Sequence, residues 1–173
     1  MSWSRKDAVA ATLLLGLTAV LLYRVVPYFQ VFNVEIGDRA PDFNLAADDG
    51  SGFSLGDYQG KLVLLNFWAT WCPPCVQEMP SLNALHERFQ DRGLVVLGVS
   101  VDEDQQAYQQ FVERLGIVFP TVLDPARQVS NRYGTLKYPE TYLINREGVV
   151  IRKYIGEEDW SRPEIVNYIG SLL

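Results

Sequence analysis

Cysteine, histidine and methionine are scarce in this chain, with two, one and two copies among 173 residues. Two cysteines cannot build a framework of several disulfides. They also fall short of the usual four ligands of a structural zinc site, and the lone His86 stands eleven residues beyond Cys75. No cluster of Lys and Arg is present, and acidic side chains outnumber basic ones 21 to 15. Residues 1–33 carry Arg5, Lys6 and Arg24 against Asp7 alone, so the remainder holds 12 basic against 20 acidic groups, a net of −8. Such a domain repels phosphate backbones, and no nucleic-acid partner is expected. There is no internal repeat and no low-complexity linker. Length and an ordinary composition, 48% apolar and 21% charged, bound the chain to one domain with a short appendage.

The appendage is amino-terminal. Ala8 to Tyr23 form an uncharged, mostly apolar run of 16 residues behind Arg5 and Lys6. A spanning helix needs roughly 20 residues. Val25 and Val26 extend the run, Arg24 can snorkel, and Tyr23, Tyr28 and Phe29 suit the membrane interface. Pro27 kinks or ends the helix. Bulky Tyr23, Arg24 and Pro27 offer no small-residue cleavage site, so an uncleaved signal anchor spanning about residues 8–26 is expected, with a cleaved signal peptide as the alternative. The basic flank then stays in the cytoplasm, and the domain from residue 34 to 173 lies on the periplasmic or extracytoplasmic side of the cell membrane. An isolated cysteine pair has redox meaning in that oxidising compartment.

Alternation and turn signals predict a mixed α/β domain. Gly37 to Tyr58 reads as a lead-in hairpin turning at Asp48-Asp49-Gly50. Leu62–Trp68 and Leu94–Val101 are near-continuous apolar runs, as in strands buried on both faces. A helix is predicted from about Pro74 to Phe89, with Val76, Met79, Leu82, Leu85 and Phe89 on its apolar side and His86 on the polar surface. Gln105–Leu115 reads as a helix closed by Gly116, and Phe119–Leu123 as a short strand. Asp124-Pro125 is read as the start of another helix. Thr141–Asn145 and Val149–Ile155 read as a hairpin, and Ser161 as the cap of a last helix. Parallel βαβ units followed by a hairpin and helix give a central mixed sheet with helices on both faces.

The chemistry concentrates in Trp71-Cys72-Pro73-Pro74-Cys75. Two cysteines three apart at a helix start can close a small disulfide ring. Free N–H groups and the helix dipole favour negative charge on the first, so Cys72 is expected to be the nucleophilic thiolate. A thiolate is the species that attacks a disulfide. Cys75, one turn inside, is expected to be the resolving thiol. No cofactor and no metal are required.

The stretch Asn66-Phe67-Trp68-Ala69-Thr70 followed by Trp71-Cys72-Pro73-Pro74-Cys75 resembles the active site of the thioredoxin superfamily. Gly37 to Phe43, Gly60-Lys61, Cys75 to Pro80 and Pro139 to Asn145 narrow the resemblance to the membrane-anchored TlpA/ResA/CcmG (DsbE) group, from about Val34 to the carboxyl end. The resemblance implies a thioredoxin-like fold and a protein-disulfide reductase. It implies an extracytoplasmic substrate such as apocytochrome c during cytochrome c maturation, and a membrane thiol-transfer protein as electron donor. Pro139 matches the family's cis-proline, beside which substrate backbone pairs. Tyr138 departs from the small or β-branched residues common before it and is expected to narrow that groove. Trp71 and Pro73 are expected to contact substrate. The family places a carboxylate at Glu78 beneath the thiols, and Asn66 stands where thioredoxin has a buried Asp, so Glu78 is expected to serve as the acid–base group.

Two other functions compete. Peroxiredoxin-like thiol peroxidases share the Ala40-Pro41-Asp42-Phe43 lead-in, but need a Thr or Ser three positions before the reactive cysteine, and Thr70 is five before Cys75. A metal- or haem-handling thiol chaperone would use both thiols as soft ligands. The motif alone does not distinguish a reductase from an oxidase.

Overall fold

The computed structural model describes residues 5–25, 33–46 and 52–173. It divides into two compact units, Met1–Val31 and Phe32–Leu173.

The described residues of the first unit form one helix, α1 (Arg5–Val25). Its Leu14, Leu15, Leu17, Val20, Leu21 and Tyr23 are exposed. Among the described residues no helix is long and apolar enough to cross a membrane. The carboxyl end of the expected span and Pro27 lie outside the described residues.

In the second unit the lead-in hairpin pairs β1 (Asn44–Ala46) with β2 (Gly52–Ser54), with Leu45 opposite Phe53. Its expected turn at Asp48-Asp49-Gly50 lies outside the described residues. Behind it come β3 (Leu62–Trp68), α2 (Pro73–Phe89), β4 (Leu94–Ser100), α3 (Gln105–Leu115), β5 (Thr121–Leu123), α4 (Gln128–Tyr133), β6 (Glu140–Ile144), β7 (Val150–Ile155) and α5 (Pro163–Leu172). The five-stranded sheet runs in the order β5-β4-β3-β6-β7. β3, β4 and β5 are mutually parallel, while β6 is antiparallel to β3 and β7 to β6. The sheet is therefore mixed, as its alternation predicted.

Every residue of central β3 is buried. Successive side chains of a strand point to opposite faces. Leu62, Leu64 and Trp68 join Met79, Leu82, Leu85 and Phe89 of α2, Tyr108 and Phe111 of α3, and Ile165, Val166 and Ile169 of α5. Val63, Leu65 and Phe67 join Val129 and Tyr133 of α4 and Val34, Phe43 and Phe53 of the lead-in. Helices thus cover both faces, and each fully buried apolar side chain contributes about 1.5–3 kcal/mol relative to exposure. Asn66 is the one polar side chain of β3, on the α2 face and fully buried.

Several boundaries differ from the sequence expectation. α2 begins at Pro73, one residue early, because both prolines fit its first turn, where no N–H partner is needed. Pro80 lies inside α2 and supplies no N–H to the Val76 carbonyl. β5 begins at Thr121, and Phe119 drops its ring into the core instead. α4 begins at Gln128 rather than beside Pro125; the buried Asp124 carboxylate reaches forward to accept from the N–H groups of Gln128, Val129 and Ser130 at 2.9, 2.8 and 3.2 Å. Ser161 does not cap α5, whose N-cap is Arg162 with Pro163 behind it; the Ser161 hydroxyl donates to Asp159 instead. His86 is buried, not on the surface: its ring packs edge-on to Phe119, 6.3 Å away, and burial lowers its pKa.

Candidate active site

The thiol site grows from the carboxyl end of β3. Trp68 closes the strand, and its carbonyl accepts from Val101 N–H at 2.9 Å. Asp102, buried at the end of β4, then fixes the turn. Its carboxylate accepts from the backbone N–H of Thr70 at 2.9 Å, the Thr70 hydroxyl at 2.7 Å and the Ser100 hydroxyl at 2.6 Å. Charge-assisted bonds of this kind are about twice as strong as neutral ones. They hold the backbone two residues ahead of Cys72.

Cys72 is the N-cap of α2, in extended conformation, and its Sγ accepts from the N–H of Cys75 at 3.3 Å. That N–H is one of the unpaired donors of the first turn, so charge on this sulfur is met by both a hydrogen bond and the helix dipole. Cys72 and Cys75 are joined by a disulfide, with Cα atoms 5.3 Å apart. Solvent reaches 5% of Cys72 and none of Cys75. A partner sulfur can therefore approach only the first cysteine.

The Tyr138–Pro139 peptide bond is cis. Glu140, next in the chain, pairs with Phe67 across the β3–β6 ladder. The start of β6 and the end of β3 therefore meet at the same edge of the sheet, which brings Pro139 to the cysteine turn. Pro139 is buried and its carbonyl accepts from Gly156 N–H at 2.9 Å. Tyr138 is half-buried; its hydroxyl donates to Ser130 at 3.4 Å, and its ring meets Trp71 edge to face at 6.1 Å. Trp71 is 57% exposed and Pro73 is exposed beside it. Trp68 by contrast is core, packed on Tyr108 and Phe111.

Glu78 is 1% exposed, one turn after Cys75. Its Oε1 accepts from Asn66 Nδ2 at 2.7 Å. Its Oε2 accepts from the backbone N–H of Glu158 at 3.2 Å and from Trp160 Nε1 at 3.3 Å. Burial, opposed by these three donors and helped by nearby Glu157, raises its pKa from 4.5 to about 7. A carboxyl group poised there can hold or release a proton at neutral pH.

A cysteine pair at a helix N-terminus, a cis-proline beside it and a buried carboxyl group beneath it are the parts of a thiol-exchange site, and the comparisons agree. The family model described as "AhpC/TSA family" matches residues 36–153. The chain belongs to that family. It is 40% identical over 174 residues, 99% of each chain, to the thiol-disulfide oxidoreductase ResA of Geobacillus thermodenitrificans (strain NG80-2). It is 36% identical to ResA of Bacillus subtilis (strain 168), over 90% of this chain and 88% of that one. The thioredoxin domain of a thiol-disulfide oxidoreductase from Bacteroides vulgatus superposes with a TM-score of 0.71 at 27% identity, over 80% of this chain and 98% of that one. The fold is thioredoxin-like, and the enzyme is a thiol–disulfide oxidoreductase of the ResA type.

The structure brings Cys72, Cys75, Trp71, Pro73, Tyr138, Pro139 and Glu78 of this oxidoreductase to one end of the sheet. Three residues of the site escaped the sequence reading. Asp102 carries a faint signal, an acid at the end of an apolar strand. Trp160 carries none, since it reaches Glu78 from 82 residues away. Lys153 is the third: its ammonium group pairs with buried Glu140 at 3.2 Å and donates to the Val34 carbonyl at 3.0 Å, tying the cis-proline strand to the start of the domain.

Proposed function

We propose that this oxidoreductase reduces disulfides of extracytoplasmic partner proteins, apocytochrome c during cytochrome c maturation above all. The observation that carries the reading is the pairing of a nearly closed Cys72–Cys75 site with a buried Glu78 and a cis-proline bearing bulky Tyr138, a constellation suited to one partner presented along a strand rather than to any small disulfide. The resemblance to the TlpA/ResA/CcmG group supplies the cytochrome context.

In the reduced enzyme the Cys72 thiolate attacks one sulfur of the partner disulfide. That S–S bond breaks, a mixed disulfide forms, and the other partner sulfur leaves as thiolate and takes a proton. Cys75, deprotonated with Glu78 as the base, then attacks Cys72 Sγ. The partner's second thiolate leaves, and the enzyme ends in the disulfide form seen here. Two electrons pass to the partner. A membrane thiol-transfer protein returns two electrons by the same exchange in reverse. Trp71, Pro73, Tyr138 and Pro139 line the partner's path.

We also infer that α1 and the residues after it anchor the chain in the cell membrane, with the catalytic domain on the extracytoplasmic side. The exposed apolar side chains of α1 and the Arg5/Lys6 flank support this.

The test is Cys75→Ala expressed in a cytochrome c-producing host. Without the resolving thiol the mixed disulfide persists, and the trapped protein, released by reductant, is expected to be an apocytochrome c or a protein that handles one. A wide mixture of secreted proteins would replace this reading with a general reductase or oxidase. Fast turnover of hydrogen peroxide would replace it with a thiol peroxidase.

A further inference from the structure

The two oxygens of Glu78 are not equivalent. Oε2 receives two donors that cannot reverse, the Glu158 backbone N–H and the Trp160 indole N–H. A proton on Oε2 would face both of them. Oε1 receives only the Asn66 side-chain amide, at 2.7 Å. An amide can turn over and offer its carbonyl oxygen instead of its NH2. The same Nδ2 also donates to the Thr141 hydroxyl at 2.8 Å, and a hydroxyl can accept or donate. Asn66 Oδ1, fully buried, has no partner. The observed orientation is therefore the one that serves an ionised Glu78, with an acceptor held in reserve.

We propose that protonation of Glu78 takes place at Oε1 and turns the Asn66 amide over, making Asn66 a positioning residue that carries the charge state of Glu78 to Thr141 on the cis-proline strand. After the turn, Oδ1 accepts from the carboxyl O–H and from the Thr141 hydroxyl. One proton has been bound and no covalent bond broken. Thr141 stands two residues past Pro139, so the hydrogen bonding of β6 follows the proton that the thiol chemistry gains or releases. The other titratable and charged groups around Glu78 are Cys75 one turn earlier on α2 and Cys72 at its N-cap, both only in the reduced enzyme, Glu157 and the Arg162-paired Glu158 on the segment after β7, and Tyr154 of β7, which packs on Trp160. β3 and β6 present Asn66 and Thr141, which do not titrate. The proposal rests on the acid–base role given to Glu78 above, and it names the route by which that group acts on the partner groove.

The experiment follows side-chain amide and carboxyl signals by NMR in the full chain, held in lipid nanodiscs, across the titration of Glu78. The two Asn66 NH2 protons are expected to leave their hydrogen-bonded positions with the same midpoint as the Glu78 carboxyl carbon, and to stop titrating in Glu78→Gln. Asn66→Leu, which keeps the branched shape and removes the amide, is expected to raise the Glu78 midpoint by about one pH unit, a tenfold change in proton affinity. Thr141→Val keeps the fold and Asn66. It is expected to leave the amide titrating while abolishing the pH dependence of KM for a peptide disulfide, with that of kcat intact. Asn66 protons that stay fixed while Glu78 titrates would overturn the proposal, as would a KM profile unchanged in Thr141→Val. If Glu78→Gln leaves the exchange rate and its pH profile untouched while the native amide still turns, the acid–base role of Glu78 falls and the amide reversal stands.

Discussion

The ring of Trp71 meets the ring of Tyr138 at 6.1 Å and 85°, edge to face, and so joins the residue before the reactive cysteine to the residue before the cis-proline. The two loops that flank the proposed partner path are thereby held in register by one aromatic contact. Such pairs contribute about 0.5–1.5 kcal/mol beyond the area they bury. Trp71→Ala and Tyr138→Ala are each expected to lower kcat/KM for a protein disulfide by roughly 2- to 12-fold, the rate equivalent of that energy. Tyr138→Phe keeps the ring and loses only the 3.4 Å bond to Ser130, so it is expected to stay near the native value. Steady-state rates with a peptide disulfide and with a small aromatic disulfide check this, the small substrate being affected less.

Glu78 gives the oxidised enzyme a characteristic stability profile. Its folded pKa of about 7 lies above its ordinary value of 4.5, so between these pH values the native state holds a proton that the unfolded state has lost. Stability therefore falls as pH rises through that window, by roughly 3 kcal/mol in total at about 1.4 kcal/mol per pH unit. Glu78→Gln removes the titration. Its denaturant midpoint is expected to lose the fall that the native protein shows between pH 4.5 and 7, leaving the opposite, rising contribution of buried His86, whose pKa is lowered from 6.5. Equal slopes for the two proteins would place the titration elsewhere.

The first cysteine should be the acidic one. In a Cys75→Ser background, Cys72 is expected to alkylate with a pKa below the usual value of about 8.5, because the N–H of residue 75 donates to its sulfur and the amino end of α2 faces it. Iodoacetamide rates against pH report it. A midpoint at or above the ordinary value would remove the helix N-terminus from the account.

Lys153 and Glu140 form an ion pair whose side chains are only 8% and 5% exposed. Taking away one partner leaves a buried charge alone, which costs about 3–5 kcal/mol, whereas replacing both by apolar groups of similar size is often neutral. Lys153→Met is expected to lower stability by that amount in urea unfolding. The double variant Lys153→Met/Glu140→Leu is expected to recover most of it. The Tyr142 hydroxyl, which donates to Glu140 at 3.0 Å, and the Val34 carbonyl and Glu35 carboxylate, which lose Lys153, limit the recovery.

The amino-terminal helix should keep the chain with the membrane. After cell disruption the full chain is expected in the membrane fraction, resistant to salt and released by detergent, with its domain open to protease in spheroplasts. A chain lacking residues 1–33 is expected in the soluble fraction. A soluble native chain would count against the anchor and leave the thiol chemistry as it is.

The sequence by itself determined the parts whose causes are local. The apolar runs at Leu62–Trp68 and Leu94–Val101 became the buried central strands, the second ending one residue short at Ser100, because periodicity and β-branching act over neighbouring residues. Gln105–Leu115 emerged with the expected bounds, fixed by Asp104 at one end and left-handed Gly116 at the other. The Cys-Pro-Pro-Cys helix start was legible for the same reason: its capping, its prolines and its thiols lie within four residues. What the tertiary structure alone decided is everything that depends on a distant partner. Glu78 was a candidate from its spacing to Cys75, but its proton affinity is raised by burial and held back by the Glu158 and Trp160 donors, which come from the loop between β7 and α5. His86 looked polar on its own helix and became buried because Phe119, from the segment before β5, packs against it on the same face of the sheet. Lys153 found Glu140 and Val34 for the same reason, since antiparallel pairing of β6 and β7 sets which charges meet. Burial and long-range pairing are properties of the packed chain, and they carry the electrostatics of this site.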